Sequence, residues 1–247
     1  MTFKEGDFIE IEYTAKNEDD GTLLATTDAE TAKAADVYDE HLKYGPVLVV
    51  FGSNAVVKGL ERELEKMSPG ESRTFVLEAE EAFGRRDESL VRVMKESEFK
   101  TQNIKPYPGM RVNIDGAPTT VKSVGSGRVV IDMNHPDAGK RIKYEVKVSG
   151  RIDKEEDKIS KLADTYGLSP TSIKSGSEGA EIFFDNKVRK DSDYFINKAS
   201  SLAAIFTYIK EIKRIVIKEE YINEVGKGDG ALQEGKGQAS TKSVEEQ

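Results

Sequence analysis

Apolar and charged positions alternate from Phe8 through Ile9-Glu10-Ile11-Glu12 to Tyr13, the period-two pattern of a half-buried strand. Asn17 to Gly21 is a polar turn, and Thr22-Leu23-Leu24-Ala25-Thr26-Thr27 resumes extended structure. Residues 28–43 are Ala-rich with mixed charge and suit either a short helix or a mobile loop. Val47 to Phe51 is an apolar β run closed by Gly52. After Val56-Val57-Lys58-Gly59-Leu60-Glu61, the residues Leu60, Leu64 and Met67 recur three or four apart, which predicts a short helix with one apolar stripe. Ser68-Pro69-Gly70-Glu71 ends it, because proline presets φ and glycine accepts φ > 0. Arg73 to Leu77 reads as another strand, and Phe83-Gly84 closes the segment. A hydrophobic pocket is the feature these elements describe, floored by Leu60 and walled by valines and Phe83.

Beyond Gly84 the character changes. Arg85 to Gln102 is charged, with isolated Leu90, Val91, Val93, Met94 and Phe99, and Pro106-Tyr107-Pro108-Gly109 is a stiff turn. Three strands are expected at Met110–Ile114, Thr119–Val124 and Arg128–Met133, joined by the hairpin signals Asp115-Gly116 and Gly125-Ser126-Gly127. This reads as a small β module set between two parts of another domain. A last strand from Ile142 to Val148 alternates cleanly and returns to the first sheet. Downstream, Glu155 to Tyr166 places Ile159, Leu162, Ala163 and Tyr166 on one helical face, and Glu181 to Phe184 is a short strand. Asp191 or Ser192 caps a longer helix whose expected inner face is Phe195, Ala199, Leu202, Phe206 and Ile209, followed by a strand over Lys213–Lys218. The apolar-poor segment from Gly226 to Gln247 is expected to be disordered.

A chain of 247 residues holds one large domain or two to three small ones. The net charge of −8, spread along the chain, argues against a nucleic-acid binder that works by neutralising phosphates. No run approaches a membrane span of roughly 20 apolar residues, and residues 1–15 lack a signal-peptide pattern. Without cysteine there is no disulfide framework, zinc–thiolate site or cysteine nucleophile. His41 and His135 are the only histidines, so no metal site and no cofactor is expected. The expectation is a soluble cytoplasmic protein. Glu78, Glu80 and Glu81 read as a solvated strand end, and His135, before a proline, as a turn residue.

The ordered set Tyr13, Gly21 to Thr27, Val56 to Glu61, Met67 to Glu71 and Ala82-Phe83-Gly84 resembles the FKBP-type peptidyl-prolyl isomerases. The inserted β module, followed by Asn134-His135 and Ala138-Gly139, resembles the SlyD-like insert-in-flap group, and the further domain is similar to the long archaeal members. The resemblance implies an α+β fold, a bent antiparallel sheet around one short helix. It implies a discontinuous catalytic domain over 1–84 and 136–150, an insert over 85–135 and a C-terminal α/β domain over 151–225. The catalytic pocket carried over to this chain is Tyr13, Leu24, Val56, Val57, Leu60, Phe83 and Tyr144, with Val47 as a further substrate-binding residue. Leu60 replaces the family's pocket-floor tryptophan, Phe83 its usual tyrosine, and Ala25 its pocket aspartate. Asp28, three residues on, would need a local bulge to substitute for it.

Two functions follow from the resemblance. One is a peptidyl-prolyl isomerase and folding chaperone, whose insert binds unfolded, proline-containing chains through Val91, Met94, Phe99, Tyr107 and Met110. The other is a holdase or adaptor on the same scaffold, which Ala25 favours. Long members of the family often associate through the third domain, so a homodimer through residues 151–225 is an open expectation.

Overall fold

A computed structural model describes residues 3–222, except 178, 186 and 188–191. The cap expected at Asp191 and the tail from Gly226 lie outside the described residues. The chain runs through β1 (Phe8–Asn17), β2 (Leu23–Thr26), α1 (Ala29–Ala34), β3 (Val47–Val50), α2 (Lys58–Leu64) and β4 (Ser72–Leu77). The insert contributes β5 (Val91–Lys95), α3 (Glu96–Lys100), β6 (Arg111–Ile114), β7 (Ala117–Gly125) and β8 (Arg128–Asp132). The chain re-enters the first sheet as β9 (Ile142–Ile152), then forms α4 (Glu155–Thr165), β10 (Ser172–Gly176), β11 (Gly179–Phe184), α5 (Ser192–Tyr208) and β12 (Ile215–Glu219). This is the α+β, FKBP-type architecture that the resemblance implied.

In the first sheet every pairing is antiparallel. One edge of β1 pairs with β9 along its length, and its other edge is shared by β3 and β2. β4 pairs with the far side of β9. Side chains alternate between faces along a strand, so one face carries Ile9, Ile11, Tyr13 and Ala15 of β1 with Ile142, Tyr144, Val146 and Val148 of β9. Leu60, Leu64 and Met67 of the helical segment pack onto that face and are buried there, as their spacing predicts. Phe8, Val50 and Ile152 instead join Ile159, Leu162, Ile182, Phe184 and Ile205 in a second core. The C-terminal unit therefore shares its core with the sheet that carries the pocket.

The insert is a four-stranded sheet in the order β5-β8-β7-β6. Asp115-Gly116 and Ser126-Gly127 make its two tight turns, all four with positive φ, as type I′ hairpins require. Phe99, expected on the client-binding surface, is only 2% exposed. The unanticipated helix α3 turns it onto Val121, Val129 and Ile131, where it forms the centre of the insert's core. β5 and β10 were likewise not anticipated: β5 is a run of only five residues inside a charged segment, and Ile173 is the one apolar residue of β10.

The inner face expected for α5 is corrected. Phe195, Ala199 and Phe206 are exposed and Leu202 is half-buried, while Tyr194, Ser201, Ala204, Ile205 and the expected Ile209 are buried. The helix carries two apolar stripes one residue apart. The stripe containing Ser201 and Ala204 faces inward, where small side chains allow the helix to approach its neighbours closely.

Candidate active site

Cross-strand partners point to the same side of a sheet, so the register can be read as a row. Ala25 pairs with Ala15, Ala15 with Tyr144, and Tyr144 with Phe75. Ala25 thus stands at the end of a row on the pocket face, separated from Tyr144 by Ala15. Asp28 does not substitute for it. Its carboxylate caps α1, accepting from the Thr31 backbone N–H at 2.8 Å and the Thr31 hydroxyl at 2.6 Å.

Leu60 and Tyr144 are buried within the core beneath the site. Tyr13, Leu24, Val47, Val56, Val57 and Phe83 are half-buried against that same cluster. All eight residues expected at the pocket are therefore brought together. The Tyr13 and Tyr144 rings lie 6.1 Å apart at 50°, and Phe75 stacks on Tyr144 at 5.9 Å. Burial pushes the Tyr144 hydroxyl up to about 12, with Tyr13 and Asp137 adding to the shift, and burial also raises Tyr13. Both phenols stay neutral at physiological pH. The arrangement offers aromatic and aliphatic surface with two neutral hydroxyls, and no acid–base pair.

The site is held by close backbone approach. Gly59 of α2 lies under the turn at Ala79–Glu81, and a Cβ there would come 2.7 Å from the Glu81 carbonyl oxygen. Arg62 fastens the same contact through a 2.7 Å ion pair with Glu81. Phe83 follows this turn and projects against the imidazole of His135, ring centroids 4.1 Å apart and planes 1° from parallel. Sequence reasoning missed Phe75 and His135 as neighbours of the site. Phe75 sits in the alternation of β4 and pairs with Tyr144, a signal available once strand register is assigned.

A depression of about 710 Å³ lies elsewhere, on the opposite face of the sheet between Glu12, Thr14, Ser72, Thr74, Glu145 and Lys147. Its lining mixes these polar side chains with Tyr13, Tyr44, Pro46 and Val146, and Leu60 and the valines at the start of α2 are not part of it. A second depression, of about 530 Å³, borders the cleft, between Asn54–Lys58 at the start of α2 and Glu80–Ala82.

The family profile described as FKBP-type peptidyl-prolyl cis-trans isomerase matches residues 1–104, and that of the FKBP26 IF domain matches residues 92–137. The short-type peptidyl-prolyl cis-trans isomerase of Methanocaldococcus jannaschii is 30% identical over 145 residues, which cover 59% of this chain and 91% of that protein. The FKBP-type peptidyl-prolyl cis-trans isomerase SlyD of Treponema pallidum is 27% identical over 173 residues, covering 68% of this chain and 89% of that protein. SlyD of Helicobacter pylori is 28% identical over 131 residues, covering 51% and 70%. With the pocket row, the wrapped helix and the inserted sheet in place, the chain belongs to the FKBP-type peptidyl-prolyl cis-trans isomerases, is SlyD-like, and is an enzyme of that class.

Proposed function

We propose that this isomerase is also a folding chaperone, with the insert capturing unfolded segments and the cleft twisting X-Pro bonds within them. The observation that carries the reading is the pairing of an apolar, half-buried cleft with exposed apolar side chains on the insert. Val93 and Tyr107 are 63% and 61% exposed, and Val91, Met94 and Met110 are partly exposed. Exposed apolar groups of this kind mark interaction surfaces.

The chemistry follows from the amide. An X-Pro bond isomerises slowly because twisting it costs roughly 18–20 kcal/mol of resonance-derived barrier. At the twist the carbonyl oxygen carries less charge, so an apolar cleft of Tyr13, Leu24, Val56, Val57, Leu60, Phe83 and Tyr144, with Val47 at its rim, favours the twisted species over the planar one. Ala25 removes one polar contact of about 1–3 kcal/mol, which weakens turnover about ten- to hundredfold without abolishing it. Capture on the insert offsets this loss by raising the local concentration of substrate. On this reading the protein works in the cytoplasm on unfolded polypeptides rather than on nucleic acid. No described helix is long and apolar enough to cross a membrane.

The exposed stripe of α5, with Phe195 48%, Ile196 62% and Phe206 44% exposed, supports homodimerisation through the C-terminal domain.

The test uses isomerisation of a short Leu-Pro-Phe peptide, which bypasses the insert, beside suppression of aggregation of an unfolded protein. Ala25→Asp is expected to raise peptide turnover about tenfold or more. Removal of residues 85–135 with closure of the gap should abolish aggregation suppression and leave some peptide turnover. Surviving suppression would remove the capture role from the insert. A second reading, a holdase with little catalysis, is favoured by Ala25, and a wild type inert on peptides but rescued by Ala25→Asp would establish it.

A further inference from the structure

We infer that His135 is a positioning residue for the isomerase cleft, fixing the angle of the Phe83 ring and so the affinity for the substrate's apolar groups. The inference rests on the reading of Phe83 as a pocket wall. Phe83 is half-buried against the pocket core on one side, and its stack with His135 is the closest and flattest ring pair among the described residues.

The imidazole is itself held. The Asp137 backbone N–H donates to His135 Nδ1 at 3.1 Å, and the Ala138 N–H donates to the His135 carbonyl at 2.9 Å. Nδ1 thus accepts a backbone hydrogen bond that fixes the orientation of the ring. The Asp137 carboxylate is taken by Lys140 at 2.7 Å, and its Oδ2 comes no nearer than 4.0 Å to Nδ1. The turn is tied to the segment before the insert by the Gly139 N–H, which donates to the Gly84 carbonyl at 2.8 Å.

The two rings therefore come from the two ends of the insert, Phe83 from its entrance and His135 from its exit. An aromatic side chain with one face unsupported samples more rotamer space, and ordering it on substrate binding then costs affinity. Stacked rings contribute modestly, so the effect belongs in KM rather than in the chemistry.

Two substitutions separate the ring from the turn. His135→Phe keeps a flat ring and loses the acceptor; His135→Asn keeps a side-chain acceptor and loses the ring. Steady-state isomerisation of the Leu-Pro-Phe peptide by the full chain is measured for both, for His135→Ala and for Phe83→Ala, with the melting temperature of each. The expected result is a two- to tenfold rise in KM for His135→Ala and His135→Asn, with kcat little changed and KM restored in His135→Phe. Combined with Phe83→Ala, His135→Ala should add nothing. Restoration by Asn but not Phe would overturn the inference and leave His135 a turn residue. If Phe83→Ala alters KM but no His135 variant does, the inference falls and the pocket reading stands. If Phe83→Ala alters nothing, both fall.

Discussion

At the scale of single residues, Gly59 shows how the cleft constrains its own helix. Alanine ordinarily stabilises a helix interior by about 1 kcal/mol relative to glycine. Here the added methyl would meet the Glu81 carbonyl at 2.7 Å, the Glu81 Cβ at 2.9 Å and Leu77 Cδ1 at 3.0 Å. Backbone cannot swing aside as a side chain can, so overpacking of about 1–3 kcal/mol outweighs the propensity gain. Gly59→Ala is expected to lower stability in urea and to reduce peptide turnover by moving the turn that carries Phe83. A more stable variant would show that the contact is looser than the structure indicates. That the candidate lining residues share one cluster was legible because valines, a Lys-Gly step and spaced leucines occur in the order of the family motif. His135 was not legible: a lone histidine before a proline has no periodicity, and its ring partner lies 52 residues away in sequence, from Phe83 to His135.

Side-chain hydrogen bonds tie the end of the insert to the segment that enters it. Asp132 at the end of β8 has a side chain only 4% exposed, accepting from the Asn134 side-chain amide at 2.8 Å and its backbone N–H at 3.0 Å, and pairing with Arg86 at 2.5 Å. Asn134 reaches across to the backbone of Asp87, accepting from its N–H and donating to its carbonyl, both at 2.8 Å. Burial alone would raise the Asp132 carboxyl, but the hydrogen bonds from Asn134 and Arg86 prevail and hold it at about 2, against an ordinary 3.8. The stabilisation is present above pH ~4 and fades as pH falls toward ~2, amounting to about 2 kcal/mol at most. Thermal melts between pH 5 and 2.5 should fall less steeply for Asp132→Asn than for the wild type; identical slopes would remove Asp132 from the acid response. The hairpin turns of the insert were readable from Asp115-Gly116 and Gly125-Ser126-Gly127 alone. The inner stripe of α5 was not, because periodicity identifies apolar stripes and cannot choose between two that differ by one residue.

For the whole molecule, the shared core sets how the parts depend on one another. Phe8 and Val50 are buried against the C-terminal unit, with ion pairs Lys161–Glu10 at 2.6 Å and Lys43–Asp164 at 3.0 Å around them. Ending the chain at Gly150 would expose both side chains and remove the last pairings of β9, at about 1.5–3 kcal/mol for each apolar side chain. The fragment 1–150 is expected to melt well below the full chain; an unchanged melting temperature would mean that the C-terminal unit is only an appendage. The position of β9 in the sheet has a further consequence, for synthesis on the ribosome. It is the strand between β1 and β4, yet it follows the entire insert in sequence. A nascent chain that has emerged only as far as Arg141 already contains every strand of the insert, while β1 and β4 still present unpaired backbone edges. Local hairpins close faster than distant pairings, so the insert reaches its final shape while the enzyme that hosts it remains an open sheet.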